Sequence, residues 1–134
     1  MTRVRTVLVV SSDGGAVSTL TDLLMAWGSQ VDRVANTTEA LHRLDAESYD
    51  VVVVDTSVDG GDVVRFDAEI RARSATLHSR LIYLAEAVEG RHEVKRFLRE
   101  TPRPIVAKPI GRLDLETSLF VAAGPARGGP PPKA

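Results

Sequence analysis

Residues 51–54 are four consecutive valines, and the run ends in a carboxylate, Asp55. A β-branched run this short reads as a strand rather than a buried helix, and the lack of polar alternation marks a strand covered on both faces. Strands of that kind belong to parallel sheets with helices above and below, which restricts the chain to α/β architectures. Asp55 then falls at the C-terminal end of a central strand, the edge at which open parallel sheets bind ligands. Asp is also common where a strand gives way to a turn. The stretch from Tyr49 to Ser57 by itself leaves both roles open for Asp55.

The remainder of the chain supplies the alternation that a parallel sheet needs. Val7-Leu8-Val9-Val10 is a first buried-strand run, followed by the loop Ser11-Ser12-Asp13-Gly14-Gly15. Val17, Leu20, Leu24 and Trp27 recur at helical spacing, which predicts an amphipathic helix over about residues 16–27 with Gly28 at its C-terminal cap. Residues 30–35 alternate as an edge strand would. Asn36-Thr37-Thr38-Glu39 has the form of a capping box, with Asn36 as cap and Glu39 reaching back, and opens a second helix that stops near Ser48. After Asp55, a loop through Gly60 and Gly61 leads to a third helix with Val63, Phe66 and Ile70 inward and Arg65, Asp67, Glu69, Arg71 and Arg73 on a charged outer face. Residues 81–85 form a fourth buried strand, and Val94, Phe97 and Leu98 mark a fourth helix. Residues 104–107 give a short fifth strand, and Leu115, Leu119 and Ala122 stripe a fifth helix. Five β/α pairs predict a doubly wound α/β fold: a five-stranded parallel sheet with five helices on its two faces.

Bulk properties exclude several function classes. A chain of 134 residues suits one domain. A net charge of −1 gives no electrostatic reason to expect nucleic acid as a partner. No apolar run approaches the length of a membrane span, and strand-like sequence begins just after Met1 with no signal peptide before it, so a cytoplasmic protein is expected. With no cysteine, disulfides, thiol catalysis and cysteine-type zinc sites are ruled out. Residues 124–134 hold three glycines and four prolines, which predicts a disordered tail or linker after a domain spanning 1–123.

Strand ends on one edge of a parallel sheet converge in space. That edge should collect Ser11, Ser12 and Asp13 from the first strand, Asp55 from the third, Ala85 from the fourth and Lys108 from the fifth. A carboxylate and an ammonium can meet there, and Lys108-Pro109 is a candidate cis peptide. With these motifs in order, the chain resembles the receiver (CheY-like) domains of two-component response regulators. The correspondence covers about residues 5–123: the Val-Leu-Val-Val strand, Asp55, the Asn-Thr-Thr-Glu-Ala-Leu entry to the second helix, Gly60 and Asp62, and Lys108-Pro109.

The resemblance implies a flavodoxin-like strand order of 2-1-3-4-5. It also implies that Asp55 is the phosphoacceptor position, that Lys108 pairs with the acyl phosphate, and that Mg²⁺ is held by an acidic pair after strand one together with Asp55. The chain departs from this pattern in that very machinery. Ser11 and Ser12 replace the acidic pair, leaving Asp13 as the one carboxylate of the loop. Ala85 stands where the family has a switch hydroxyl, Asp59 where it has proline, and Ile105 at the aromatic switch position. A carboxylate about 4 Å from a unit charge contributes roughly 4 kcal/mol at an effective dielectric of 20, and about double that for a divalent ion. Losing two of three such ligands leaves Asp13 and Asp55 as a weak or lost metal site and predicts a standing Asp55–Lys108 ion pair.

The expectation is therefore an atypical receiver in a phosphorelay: a non-enzymatic, protein-interaction module with weak or absent Mg²⁺-dependent phosphorylation. Its partners would be a histidine kinase or downstream effector, with a homodimer formed through the fourth helix, fifth strand and fifth helix. Lys95, Arg96 and Arg99 lie on that surface. Two alternatives stand beside it: a conventional phospho-accepting receiver using Asp13 and Asp55, and a flavodoxin-like cofactor binder or small enzyme using the Ser11–Gly15 loop. The latter lacks both G-x-G-x-x-G and a P-loop lysine. The three histidines, His42, His78 and His92, are expected to be exposed and to serve no hydrolase site.

Overall fold

The computed structural model describes residues 5–124; the tail predicted for residues 124–134 therefore lies outside the described residues from 125 on. Five strands form one sheet: β1 (Thr6–Val10), β2 (Gln30–Val34), β3 (Val51–Asp55), β4 (Leu81–Ala85) and β5 (Ile105–Ala107). All neighbouring pairs are parallel, and the order is β2-β1-β3-β4-β5. The valine run is the middle strand, with all five of its residues buried. Its side chains alternate between two cores. Val51 and Val53 join Val7, Val9, Ile82 and Leu84 on one face. Val52 and Val54 join Leu8, Val10, Leu81 and Tyr83 on the other.

Helices cover both faces. Helix α1 (Gly14–Ala26) and the last helix, α6 (Arg112–Ala123), seal the first core; α2 (Thr37–Ala46), α3 (Val63–Arg73) and α5 (His92–Glu100) seal the second. Among the described residues there are six α-helices rather than five. The addition is α4 (Ala75–His78), a single turn after α3. Ser74 produces it: its extended backbone ends α3, and its hydroxyl accepts from the Leu77 amide to cap the next turn. Helix α1 also starts two residues earlier than its apolar spacing suggests, because Asp13 caps it by accepting from the Ala16 amide at 3.2 Å. Asn36 caps α2 as expected, while Glu39 reaches one residue further back than a standard capping box, to the Ala35 amide.

The outer face assigned to α3 needs correction at Asp67, which is buried. Positions 63, 66, 67 and 70 share one helical stripe, so Asp67 points inward with Val63, Phe66 and Ile70. Its carboxylate accepts a hydrogen bond from the Tyr83 hydroxyl and another from Arg71 Nη2 at 3.1 Å, and it lies 2.8 Å from His78 Nε2. His78, expected at the surface, is instead largely covered through this contact. The Tyr83 ring packs edge-on against Phe97, centroids 5.1 Å apart, so the cluster joins α3, α4, β4 and α5. Burial and the Asp67 hydrogen bond hold the Tyr83 phenol far above its ordinary range. No helix among the described residues is long and apolar enough to cross a membrane.

A buried carboxylate loses about 1.5–3 kcal/mol for each hydrogen-bond donor taken away. Tyr83→Phe should lower the unfolding free energy by that amount in urea titrations with the native fold retained, a readout available from the denaturation midpoint at unchanged slope.

Candidate functional site

The C-terminal edge of the sheet gathers Asp55, Lys108, Ser11 and Asp13 into one hydrogen-bonded cluster. Asp55 ends the buried middle strand, so its charge sits where water does not reach; its side chain is 1% exposed. Each carboxylate oxygen accepts twice. Oδ2 accepts from Lys108 Nζ at 2.8 Å and from Ser11 Oγ at 2.8 Å. Oδ1 accepts from the Ser57 amide at 3.0 Å and from Ser57 Oγ at 2.7 Å. Burial pushes the Asp55 carboxyl up, but the bonds from Lys108, Ser57 and Ser11 outweigh it and hold it below the usual carboxylate range.

Lys108 reaches this point from the end of β5, where its amide donates to the Ala85 carbonyl at 2.8 Å. The Lys108-Pro109 peptide is cis, as its sequence allows. The ammonium donates to three carboxylates: Asp55 at 2.8 Å, Asp13 at 2.9 Å and Glu86 at 3.1 Å. Burial lowers the Lys108 pKa, and its bonds to Asp55, Asp13 and Glu86 more than reverse that, so the ammonium is held charged above its ordinary range. The bond from Lys108 and the Ala16 amide likewise hold the Asp13 carboxyl below its usual range. The ion pair anticipated from sequence is thus present, and it extends into a three-carboxylate cage.

The other positions singled out in the sequence divide between this cluster and its surroundings. Ser11 is buried in the cluster and also accepts from the Asp13 amide at 3.1 Å. Ser12 is exposed and lines a neighbouring cleft instead. Ala85 is buried beside the site and contributes only backbone there. Asp59 adopts a left-handed conformation (φ 51°) and accepts from the amide and hydroxyl of Thr37, which ties the loop after Asp55 to the start of α2. Ile105 pairs in register with Tyr83, so an aromatic side chain does lie on this face, one strand over and fully buried.

Two site residues went unremarked in the sequence. Ser57 lies two residues past Asp55, the spacing at which a hydroxyl folds back on a carboxylate. Glu86 follows the β4 terminus and so sits at the same edge as Asp55, a placement the strand pattern implies. Asp13, Asp55 and Glu86 converge on the Lys108 ammonium, and the Ser11 hydroxyl donates to Asp55.

No family model and no curated protein matches the chain. Solved structures do. The receiver domain of a sensor histidine kinase from Pseudomonas aeruginosa, which carries a magnesium ion coordinated in its active-site cleft, superposes with a TM-score of 0.74 at 21% identity, covering 91% of this chain and 99% of its own. The signal receiver domain of an HD domain-containing protein from Pseudomonas fluorescens gives 0.74 at 19% identity, with 90% and 94% covered. A response regulator receiver domain protein from Clostridium thermocellum gives 0.72 at 19%, again with 90% and 94% covered. Strand order, all-parallel pairing and these superpositions agree: the chain has the receiver fold of two-component response regulators.

Proposed function

We propose that this chain is an atypical receiver domain of two-component signalling, a cytoplasmic interaction module rather than an enzyme, in which Asp55 keeps the phosphoacceptor position without a normal phosphorylation cycle. The observation that carries this reading is the saturation of Asp55: four hydrogen bonds occupy its two oxygens. Attack on a phosphodonor needs a free carboxylate lone pair. Freeing one here means giving up charge-assisted bonds that contribute about 1.5–3 kcal/mol each. Phosphoryl transfer also relies on metal ions to neutralise the developing charge. The carboxylates that would hold Mg²⁺ are engaged by Lys108, so Mg²⁺ affinity through Asp13 and Asp55 is weak.

The domain spans residues 1–123 in this reading, with the Pro/Gly-rich segment as a tail or linker. Its partners are a histidine kinase, a downstream effector or a second copy, met through the face made of α5, β5 and α6. Exposed Leu113, Phe120 and Val121 on α6, and exposed Lys95, Arg96 and Arg99 on α5 over the other face of the sheet, support that choice.

Incubation with Mg²⁺ and a small acyl phosphate, followed by intact-mass measurement, should yield no stoichiometric phosphoryl adduct. A full adduct that disappears in Asp55→Asn would overturn the proposal in favour of a conventional receiver working through Asp13 and Asp55.

The ion cage also predicts a pH signature. The folded Asp55 and Asp13 carboxyls lie below their unfolded values, so their stabilisation is present above about pH 4 and lost as pH falls through the folded pKa. Lys108 lies above its unfolded value, so its stabilisation is complete below about pH 10 and lost as pH rises through the folded pKa. Lys108→Met leaves Asp55 buried without its cation and should cost about 3–5 kcal/mol at neutral pH. Urea titrations across pH should show the gap between wild type and Lys108→Met narrowing on the acid side below about pH 4. A gap that is constant down to pH 2 would mean the pair contributes nothing through charge.

A further inference from the structure

A cleft of about 640 Å³ opens beside the Asp55 cluster, between α1 and the β2–α2 connection, at the C-terminal ends of β1 and β2. Its size lies within the range of about 300–1,000 Å³ typical of small-molecule sites, and its edge of the sheet is the one that binds ligands in doubly wound folds. We propose that this cleft binds a small phosphate ester carrying hydroxyl groups and a ring, a mononucleotide being the type.

The wall chemistry selects that class. Arg33 comes from the edge strand on the α1 side of the sheet; it is exposed and makes no ion pair among the described residues. An unpaired guanidinium fork matches a phosphate in two parallel hydrogen bonds. Ser12 and Ser18 offer exposed hydroxyls from the opposite wall. The carboxylates of Asp22 and Glu39 complete the lining; they accept hydrogen bonds and oppose a bare anion, so they favour a ligand that brings hydroxyl or amino donors along with its phosphate. Val17 adds an apolar surface against which a ring can lie.

One side chain points to a missing partner. Thr21 lines the cleft, yet its hydroxyl oxygen is shut off from solvent and has no hydrogen bond among the described residues. A hydroxyl left unsatisfied in the wall of a cleft is a group that a bound ligand can serve. The cleft also touches the ion cage: Ser11 contributes to its lining and donates to Asp55 at 2.8 Å. Occupancy would therefore be felt at Asp55 without any phosphoryl transfer, and the proposal stands whether or not Asp55 accepts phosphate.

The test is an amide-resolved NMR titration of the full chain with AMP, adenosine and inorganic phosphate in parallel. The expected result is saturable shifts at Ser12, Ser18, Thr21 and Arg33 with AMP, weaker binding by adenosine or phosphate alone, and at least a tenfold loss of AMP affinity in Arg33→Gln. Arg33 is exposed on an edge strand, so this variant should keep the wild-type spectrum; Thr21→Val gives a second, independent loss. Absence of saturable shifts with all three probes at millimolar concentration would overturn the proposal. So would AMP binding that is unchanged in Arg33→Gln, that adenosine equals, or that maps to Lys108 rather than to the cleft. The phosphoryl adduct on Asp55 is read by mass and is unaffected by these outcomes, so failure of one proposal is distinguishable from failure of the other.

Discussion

A full negative charge at the end of a fully buried strand is the constraint around which this sheet edge is arranged. Asp55 follows four valines that reach no solvent, and the idealised cost of taking a carboxylate into such a medium is of order 20 kcal/mol before compensation. Compensation comes from four donors on three elements, and only Lys108 among them carries charge. That dependence explains the layout. β5 must end beside β3's neighbour for Lys108 to arrive, and its amide is pinned by the Ala85 carbonyl. Asp13 must stand clear of the strand so that it can both cap α1 and meet the ammonium.

Asp67 obeys the same rule in the interior. It too is a buried carboxylate, satisfied by Tyr83 and Arg71 with His78 alongside. The two clusters differ in access. Asp67 lies between α3 and β4 with α4 folded over it, which makes it a structural joint for four elements. Asp55 lies at the strand ends that face the loops, where parallel sheets place their chemistry. Physical satisfaction is therefore no guide to function here; position in the fold is.

Much of the architecture could be read directly from residue order. Uniform valine and leucine runs signalled strands buried on both faces, and helical spacing of Val17, Leu20 and Leu24 signalled the first cover helix. What escaped were polar residues whose partners lie far away in sequence. Asp67 was placed outside because its neighbours Arg65, Glu69 and Arg71 are charged, although its spacing from Val63 and Ile70 puts it on the inner stripe. His78 followed the same error, since nothing local announces a partner eleven residues earlier. Glu86 and Ser57 were readable in principle, one by strand-end placement and one by a two-residue return to Asp55. The four-residue helix α4 depends on a single capping serine, below the length at which periodicity carries any signal.

A modification shifts a conformational equilibrium only by the difference in its interaction energy with the two states. In this chain the groups around Asp55 are already engaged: Lys108 is bound to Asp55 and two further carboxylates, and position 85 is a buried alanine. The aromatic side chain on the same face, Tyr83, is fully buried and donates its hydroxyl to Asp67. Its edge-on contact with Phe97 also ties β4 to α5. The charge of Asp55 is thus balanced at the sheet edge by Lys108, while the Tyr83–Phe97 contact ties α5 to β4 from the interior.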